Sequence, residues 1–251
     1  MILVDQITMV RKSVAAYQQD PVKPQGELIS ERLPETPAKG KTSPQWQVIN
    51  EDVVKTMARL SGHIGVMNFA SPTTPGGGVE YGAHAQEESI AKCTYLLPVL
   101  QQFEQSYYQP NRLDANRGLF SSALIYAARV RQVFDDASRE LTDHYVDVAT
   151  VAAPNRSAYP GLTDADTTPD ITLKISQTLR AFKTHGADHL ILGAFGSGVF
   201  GNPLPQVATI FRQQLLRPEF NGAFPEIVFS IYDPDGGRVQ VFEETLAGWH
   251  D

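Results

Sequence analysis

His189 to Pro205 reads HLILGAFGSGVFGNPLP, an apolar run that breaks into glycines and then prolines ahead of Val207, Ile210, Phe211 and Leu215. The run has the length and the aliphatic character of a buried strand. The apolar residues after it recur at helical intervals, and Pro203 and Pro205 stand at the helix start, where a missing N–H costs nothing. Strand, glycine turn and helix in that order are the unit of an α/β domain. A glycine loop at a helix N-terminus also turns backbone N–H groups toward an anion, so Gly196, Ser197, Gly198, Val199, Phe200 and Gly201 form a candidate diphosphate site that needs no lysine or arginine.

The same alternation extends to both sides. Strands are predicted at Trp46 to Asn50, Ile64 to Phe69, Ala123 to Ala127, Tyr145 to Ala153, His189 to Phe195 and Glu226 to Tyr232, with a weaker one at Val130 to Phe134. Helices are predicted from Asp52 to Leu60, from Glu87 to Tyr108 with a disturbance at Pro98, from Pro169 to His185 behind a Thr168 cap, and after Asn202. Near the N-terminus Ile7, Val10, Val14 and Tyr17 have helical spacing, and Pro21, Pro24, Pro34, Pro37 and Pro44 then mark a long irregular connection. The expected organisation is an N-terminal helical extension and linker over residues 1–45 and one domain over 46–251.

The whole chain has 251 residues, 42% of them hydrophobic, enough for one sizeable core. No apolar run reaches membrane-spanning length and no cleavable leader is legible, so a soluble, cytoplasmic protein is expected. Cys93 is the single cysteine, which excludes an internal disulfide and fits a reducing compartment. The formal net charge is -7, so generic nucleic-acid binding is not expected and an anionic ligand must be held locally. No His and carboxylate cluster has ligand spacing, so neither a metal nor a cofactor is expected.

A second glycine loop reads SPTTPGGGVEYGAHAQEES from Ser71 to Ser89, between a predicted strand and a predicted helix. Gly76, Gly77 and Gly78 in succession are costly to order, and a mobile surface loop is the plain alternative to a close approach by a ligand. Gln86, Glu87 and Glu88 follow at the first turn of the helix. Acidic residues there favour the helix dipole, which is the ordinary reason for them. Next to a phosphate-gripping loop they are also the carboxyl groups a glycosidic cleavage needs. Successive helix residues point about 100° apart, so the two cannot act as an opposed pair, and one carboxyl must serve first as acid and then as base. Gly196, Gly198 and Gly201 match G-x-G-x-x-G, but not in the first strand-turn-helix unit, where an oxidoreductase carries it. The Gly-Lys-Ser/Thr ending of a nucleoside-triphosphate loop is missing.

Gly76 to Gly78 followed by Gln86, Glu87 and Glu88 resembles the signature of poly(ADP-ribose) glycohydrolases. The loop from Gly196 to Asn202 is similar to the diphosphate loop of the bacterial-type members, which are macrodomains with an N-terminal helical extension. The resemblance runs from about Gln47 to Val241 and implies a three-layer α/β/α macrodomain-like fold with a mixed central sheet. By motif position it implies Glu88 as the catalytic acid, Glu87 as a hydrogen-bond partner of the ribose at the scissile bond, and Gln86 as their support. Gly76 to Gly78 would pack against ribose and diphosphate, and Asn68 would lie near the distal ribose. Ser197 and its flanking glycines would donate N–H groups to the diphosphate, while Val199 and Phe200 close over it. The chain departs from the family pattern at Phe195, where tryptophan is usual, at Ser197, where cysteine is frequent, and at His84, where glutamine is.

Poly(ADP-ribose) or an ADP-ribosylated substrate is therefore the expected partner and ADP-ribose the expected product. Hydrolysis of ribose–ribose bonds is the leading reading. Removal of single ADP-ribose units from protein, nucleic acid or a small molecule is the second, and a reader of ADP-ribose that does not cleave it is the third. Glu87 and Glu88 argue against the third, because a reader needs neither.

Overall fold

The computed structural model describes residues 5–38 and 45–247; Pro44 and the first residues of the predicted extension lie outside them. A single seven-stranded sheet runs through the molecule in the order β1-β4-β5-β3-β6-β7-β2. Its strands are β1 (Gln25–Ile29), β2 (Gln45–Ile49), β3 (Ile64–Phe69), β4 (Leu124–Arg131), β5 (Tyr145–Val151), β6 (His189–Leu192) and β7 (Glu226–Ser230). The pairs β1·β4 and β4·β5 are antiparallel and the others parallel, so the sheet is mixed.

Strand alternation decides what lies on each face. In β6, Leu190 and Leu192 join one buried cluster and Ile191 the other; in β7, Ile227 and Phe229 separate from Val228 in the same way. Both faces are therefore apolar and both must be covered. One is covered by α6 (Asp164–His185), α7 (Leu204–Leu215) and α8 (Gly237–Leu246), through side chains such as Ile175, Phe211 and Phe242. The other is covered by α1 (Gln6–Gln19), α2 (Val53–Arg59), α3 (Gln86–Cys93) and α4 (Leu96–Leu100), through Met9, Met57, Ile90 and Leu96. The result is the three-layer α/β/α arrangement.

Several elements differ from their sequence reading. The segment read as an irregular connection contains β1, which adds an edge strand with Gln25 opposite Ala128 and Ile29 opposite Leu124. Most of Ala123–Ala127 and the first two residues of Val130–Phe134 fall on one strand, β4, whose register shifts between Ala127 and Val130. The shift is a bulge at which Arg129 has φ +53° and donates its N–H to Asp147 Oδ1 at 2.8 Å. The long helix expected from Glu87 to Tyr108 stops at Cys93, because Thr94 is extended and the Tyr95 N–H goes to Arg131 O at 3.0 Å. Pro98 causes no break: it falls in the first turn of α4, where its absent N–H has no intrahelical partner to lose. The chain continues through a π turn (Glu104–Tyr108) into α5 (Gln109–Leu113). Helix α6 starts earlier than Thr168, since Thr163 and Asp166 form a capping box, the Thr163 N–H meeting Asp166 Oδ2 at 3.0 Å, and Pro169 sits inside the helix. Helix α8 was not foreseen.

The topology fixes where a ligand can lie. From β3 the sheet continues to β5 on one side and to β6 on the other, and in such open sheets ligands settle beyond the C-terminal strand ends at this switch.

Candidate active site

At that position lies a cleft of about 780 Å³. Its walls come from the segments just past the C-terminal ends of the parallel strands: Ala70 and Ser71 after β3, Ala153 after β5, Ala194 to Gly196 and Gly198 to Phe200 after β6, without Ser197, and Ile231 and Tyr232 after β7. Phe69 and Phe195 pack at 5.7 Å between ring centroids and both face it.

Helix α3 brings the acidic pair to this cleft, and Gln86 locks it there. Its Oε1 accepts the Phe69 N–H at 2.9 Å and its Nε2 donates to Met67 O at 2.7 Å. Pairing between β3 and β6 has ended by then, at Val66, so the amide stands in for a missing neighbour strand.

Glu87 lines the cleft and is almost fully buried. Its Oε1 accepts from Asn68 Nδ2 at 3.2 Å and its Oε2 from the Ser71 N–H at 2.7 Å. Burial pushes its carboxyl up to about 8; the hydrogen bonds from Ser71 and Asn68 oppose that, and the charge of Glu88 adds to it. Asn68 itself is fully buried and also reaches Thr150 Oγ1 at 3.1 Å, so it stands one layer behind the cleft instead of at its surface. Its Oδ1 has no partner among the described residues; a rotated amide would offer that oxygen to a protonated Glu87.

Glu88 occupies the third helical position, and both its oxygens are held by backbone. The Gly78 N–H reaches Oε1 at 2.8 Å and the Ala85 N–H reaches Oε2 at 3.0 Å. The second bond is half of a capping box, so the side chain does have an ordinary structural role. The first is not part of any cap. It exists because Gly76 and Gly77, at φ +69° and +61°, turn the loop back onto α3. Gly76 to Gly78 thus pack against the carboxylates and the helix; they do not line the cleft.

The second loop is shaped by Asn202, whose Nδ2 donates to Pro154 O at 2.7 Å and to Gly196 O at 3.0 Å. Gly196 has φ +68°, and a β-carbon there would lie 2.4 Å from that of Ala153. The Arg156 N–H holds Phe200 O at 2.9 Å. The Ser197 N–H is spent on Ala194 O and that of Gly201 on Gly198 O, so neither points to a ligand in this conformation. Among the described residues, the N–H groups of Gly198, Val199 and Phe200 donate to no backbone carbonyl. Val199 is 80% exposed at the rim.

Several cleft residues were not assigned to the site from the sequence, among them Asp52, Tyr232 and Arg238. Asp52 caps α2 and accepts from Ser89 Oγ at 3.0 Å. Tyr232 is exposed just past β7. Arg238 belongs to the unforeseen α8, and its guanidinium lies 4.0 Å from where a Gly198 β-carbon would stand. Among the described residues no carboxylate pairs with Arg238, and no group of three or more His, Cys, Asp or Glu side chains is arranged to hold a metal.

A carboxyl gripped by a glycine loop, facing a second glycine loop across a cleft at the sheet switch, is an arrangement for cleaving a glycoside whose phosphates are bound by backbone. Comparison with known proteins agrees. The family model "Microbial-type PARG, catalytic domain" matches residues 2–136. The chain belongs to this family of poly(ADP-ribose) glycohydrolases. The match takes in Gly76 to Gly78 and Gln86 to Glu88 but stops before the second glycine loop. Solved structures cover more of the chain. Poly(ADP-ribose) glycohydrolase from Thermomonospora curvata is 28% identical, with a TM-score of 0.85 over 96% of this chain and 98% of that one. The same protein bound to the inhibitor ADP-HPD gives 28% identity and 0.81 over 95% and 98%. The Deinococcus radiodurans enzyme in complex with ADP-ribose gives 28% and 0.78 over 93% and 96%. No curated protein sequence matches. The fold and family expected from the two glycine loops are those found.

Proposed function

We propose that this member of the poly(ADP-ribose) glycohydrolase family cleaves the ribose–ribose O-glycosidic bond with Glu88 as its acid and base. The observation that carries the reading is the double backbone grip on the Glu88 carboxylate by Gly78 and Ala85. Burial keeps the proton of the neighbouring Glu87 in place at neutral pH. Glu88 gives its proton to the leaving ribose oxygen, the glycosidic C–O bond breaks, and water then attacks the anomeric carbon while returning a proton to Glu88. Protonated Glu87 donates to a hydroxyl of the same ribose. The free N–H groups of Gly198, Val199 and Phe200, with Arg238 beside them, hold the diphosphate, and Phe200 closes over the terminal ribose.

Residues 46–251 are read as the glycohydrolase domain and 1–45 as an extension folded onto it; β1 at the sheet edge and α1 against α3 support this. No described helix is long and apolar enough to cross a membrane. A cytoplasmic site of action is consistent with the lone Cys93, which is buried and whose thiol burial pushes up to about 12. The acidic charge balance argues against general affinity for nucleic acid.

The test is product analysis with wild type and Glu88→Gln on poly(ADP-ribose) chains and, in parallel, on mono-ADP-ribosylated protein and DNA. Free ADP-ribose from the polymer by wild type alone is expected. Release from mono-modified substrates only would make the chain a mono-ADP-ribosyl hydrolase. Tight ADP-ribose binding without release would make it a reader, and turnover by Glu88→Gln within tenfold of wild type would remove Glu88 from the mechanism.

A further inference from the structure

We infer that the N-terminal helix α1 is a positioning element for the catalytic carboxylate and that Gln6 is the residue through which it acts; this rests on the assignment of Glu88 above. The two N–H groups that hold Glu88 belong to Gly78 and Ala85, the two ends of one loop. Between them Ala83 donates its N–H to Gly78 O at 3.1 Å, which closes the loop into a ring. Its internal ties are short-range, the Tyr81 N–H meeting Gly78 O at 3.0 Å and the Gly82 N–H meeting Val79 O at 3.3 Å. Gly76, Gly77 and Gly78 precede or begin it, Gly82 lies within it at φ +84°, and Tyr81 is 88% exposed. Such a segment has many conformations to lose on ordering, so something outside it must fix it.

Helix α1 supplies that fixing. Gln6, only 8% exposed, donates from Nε2 to Ala83 O, between the two Glu88 donors and close to the Ala85 end. One turn later Val10 packs into a small apolar cluster with Val79, Ala91 and Leu97, which joins the loop's own 3-10 turn to α3 and α4. Another turn on, the fully buried Ser13 Oγ donates to Lys92 O at 2.8 Å, at the last turn of α3. One face of α1 therefore holds both the loop before the catalytic helix and the end of that helix, with the carboxylate between them. Asp5 caps α1 from outside, accepting the Thr8 N–H at 3.1 Å, so Gln6 is the first residue of an ordered helix and not part of a fraying end.

If α1 merely covered α3, deleting the Gln6 donor would lower stability and leave the chemistry alone. If it positions the loop, the deletion loosens the two N–H groups that hold the Glu88 carboxyl, and turnover falls while ligand binding is kept. The full-length protein is compared as wild type, Gln6→Met, which keeps the length and apolar stem without a donor, and Gln6→Lys, which restores one. Readouts are kcat and KM on poly(ADP-ribose), ADP-ribose affinity by calorimetry, and Tm. Gln6→Met should lose kcat by about tenfold with KM and ADP-ribose affinity little changed, because the reacting group and not the binding loop is displaced. Gln6→Lys should bring kcat back toward wild type. Unchanged kcat in a folded Gln6→Met would overturn the inference. Should that variant not fold, Val10→Ala is read in the same way. Full activity of Glu88→Gln in the same assay would instead strike at the assignment of Glu88, so the two failures are distinguishable.

Discussion

A β-carbon on Gly77 would lie 2.2 Å from Glu88 Oε1 and 3.1 Å from Glu87 Oε2. The backbone at Gly77 also has φ +61°, which side chains rarely adopt. Glycine at this position is therefore set by the carboxylates and not by the ligand. Gly77→Ala is expected to push Glu88 away from the Gly78 N–H and to cut kcat by about a hundredfold, the scale of a catalytic group misplaced by an ångström. ADP-ribose affinity should stay within a few fold of wild type, since the second loop is untouched. Steady-state kinetics and calorimetry on one preparation check this, and an equal loss in both would show that the first loop grips the ligand.

Gly198 is the opposite case. Its β-carbon would meet nothing nearer than Arg238 Nη1 at 4.0 Å, so the protein itself has room for a side chain there. Gly198→Val should fold with a Tm near wild type yet bind ADP-ribose at least tenfold more weakly, because the added methyl groups occupy the space in front of the open N–H groups of Val199 and Phe200. Unchanged affinity by calorimetry would place the diphosphate elsewhere in the cleft.

How far the sequence could be read follows from the range of the interactions involved. Gln86 to Glu88, the two glycine runs and the alternation in β3, β6 and β7 are local patterns, and the structure keeps them together at the sheet switch. Strand β1 escaped because Pro21, Pro24, Pro34 and Pro37 surround a five-residue strand whose partner, Leu124 to Ala128, is distant in sequence. The halt of α3 at Cys93 was hidden for the same reason: what ends it is the Arg131 carbonyl on β4. Arg238 could not be placed without α8. The inward turn of Asn68 depends on Glu87 and Thr150 converging behind β3, and no spacing along the chain encodes that.

The last prediction concerns Glu87 and pH. Burial holds its carboxyl at about 8 in the folded protein against an ordinary value of 4.5. Below the ordinary value both folded and unfolded chains carry the proton, and the residue has no influence on the pH dependence. Between the two values the unfolded chain releases the proton while the folded one keeps it, so stability falls as pH rises, by about 1.4 kcal/mol per pH unit from this group alone. Above about pH 8 the loss is complete. Glu87→Gln removes that slope without stranding its neighbours, since the Gln oxygen can accept from the Ser71 N–H and its amide can donate to the partnerless Asn68 Oδ1 after that side chain rotates. Urea unfolding at pH 5, 6, 7 and 8 should therefore show the variant gaining on wild type at each step, while its turnover falls because the ribose has lost a hydroxyl partner. Parallel stability profiles for the two proteins would mean that Glu87 is already ionised in the folded state and has no proton to donate to the ribose hydroxyl.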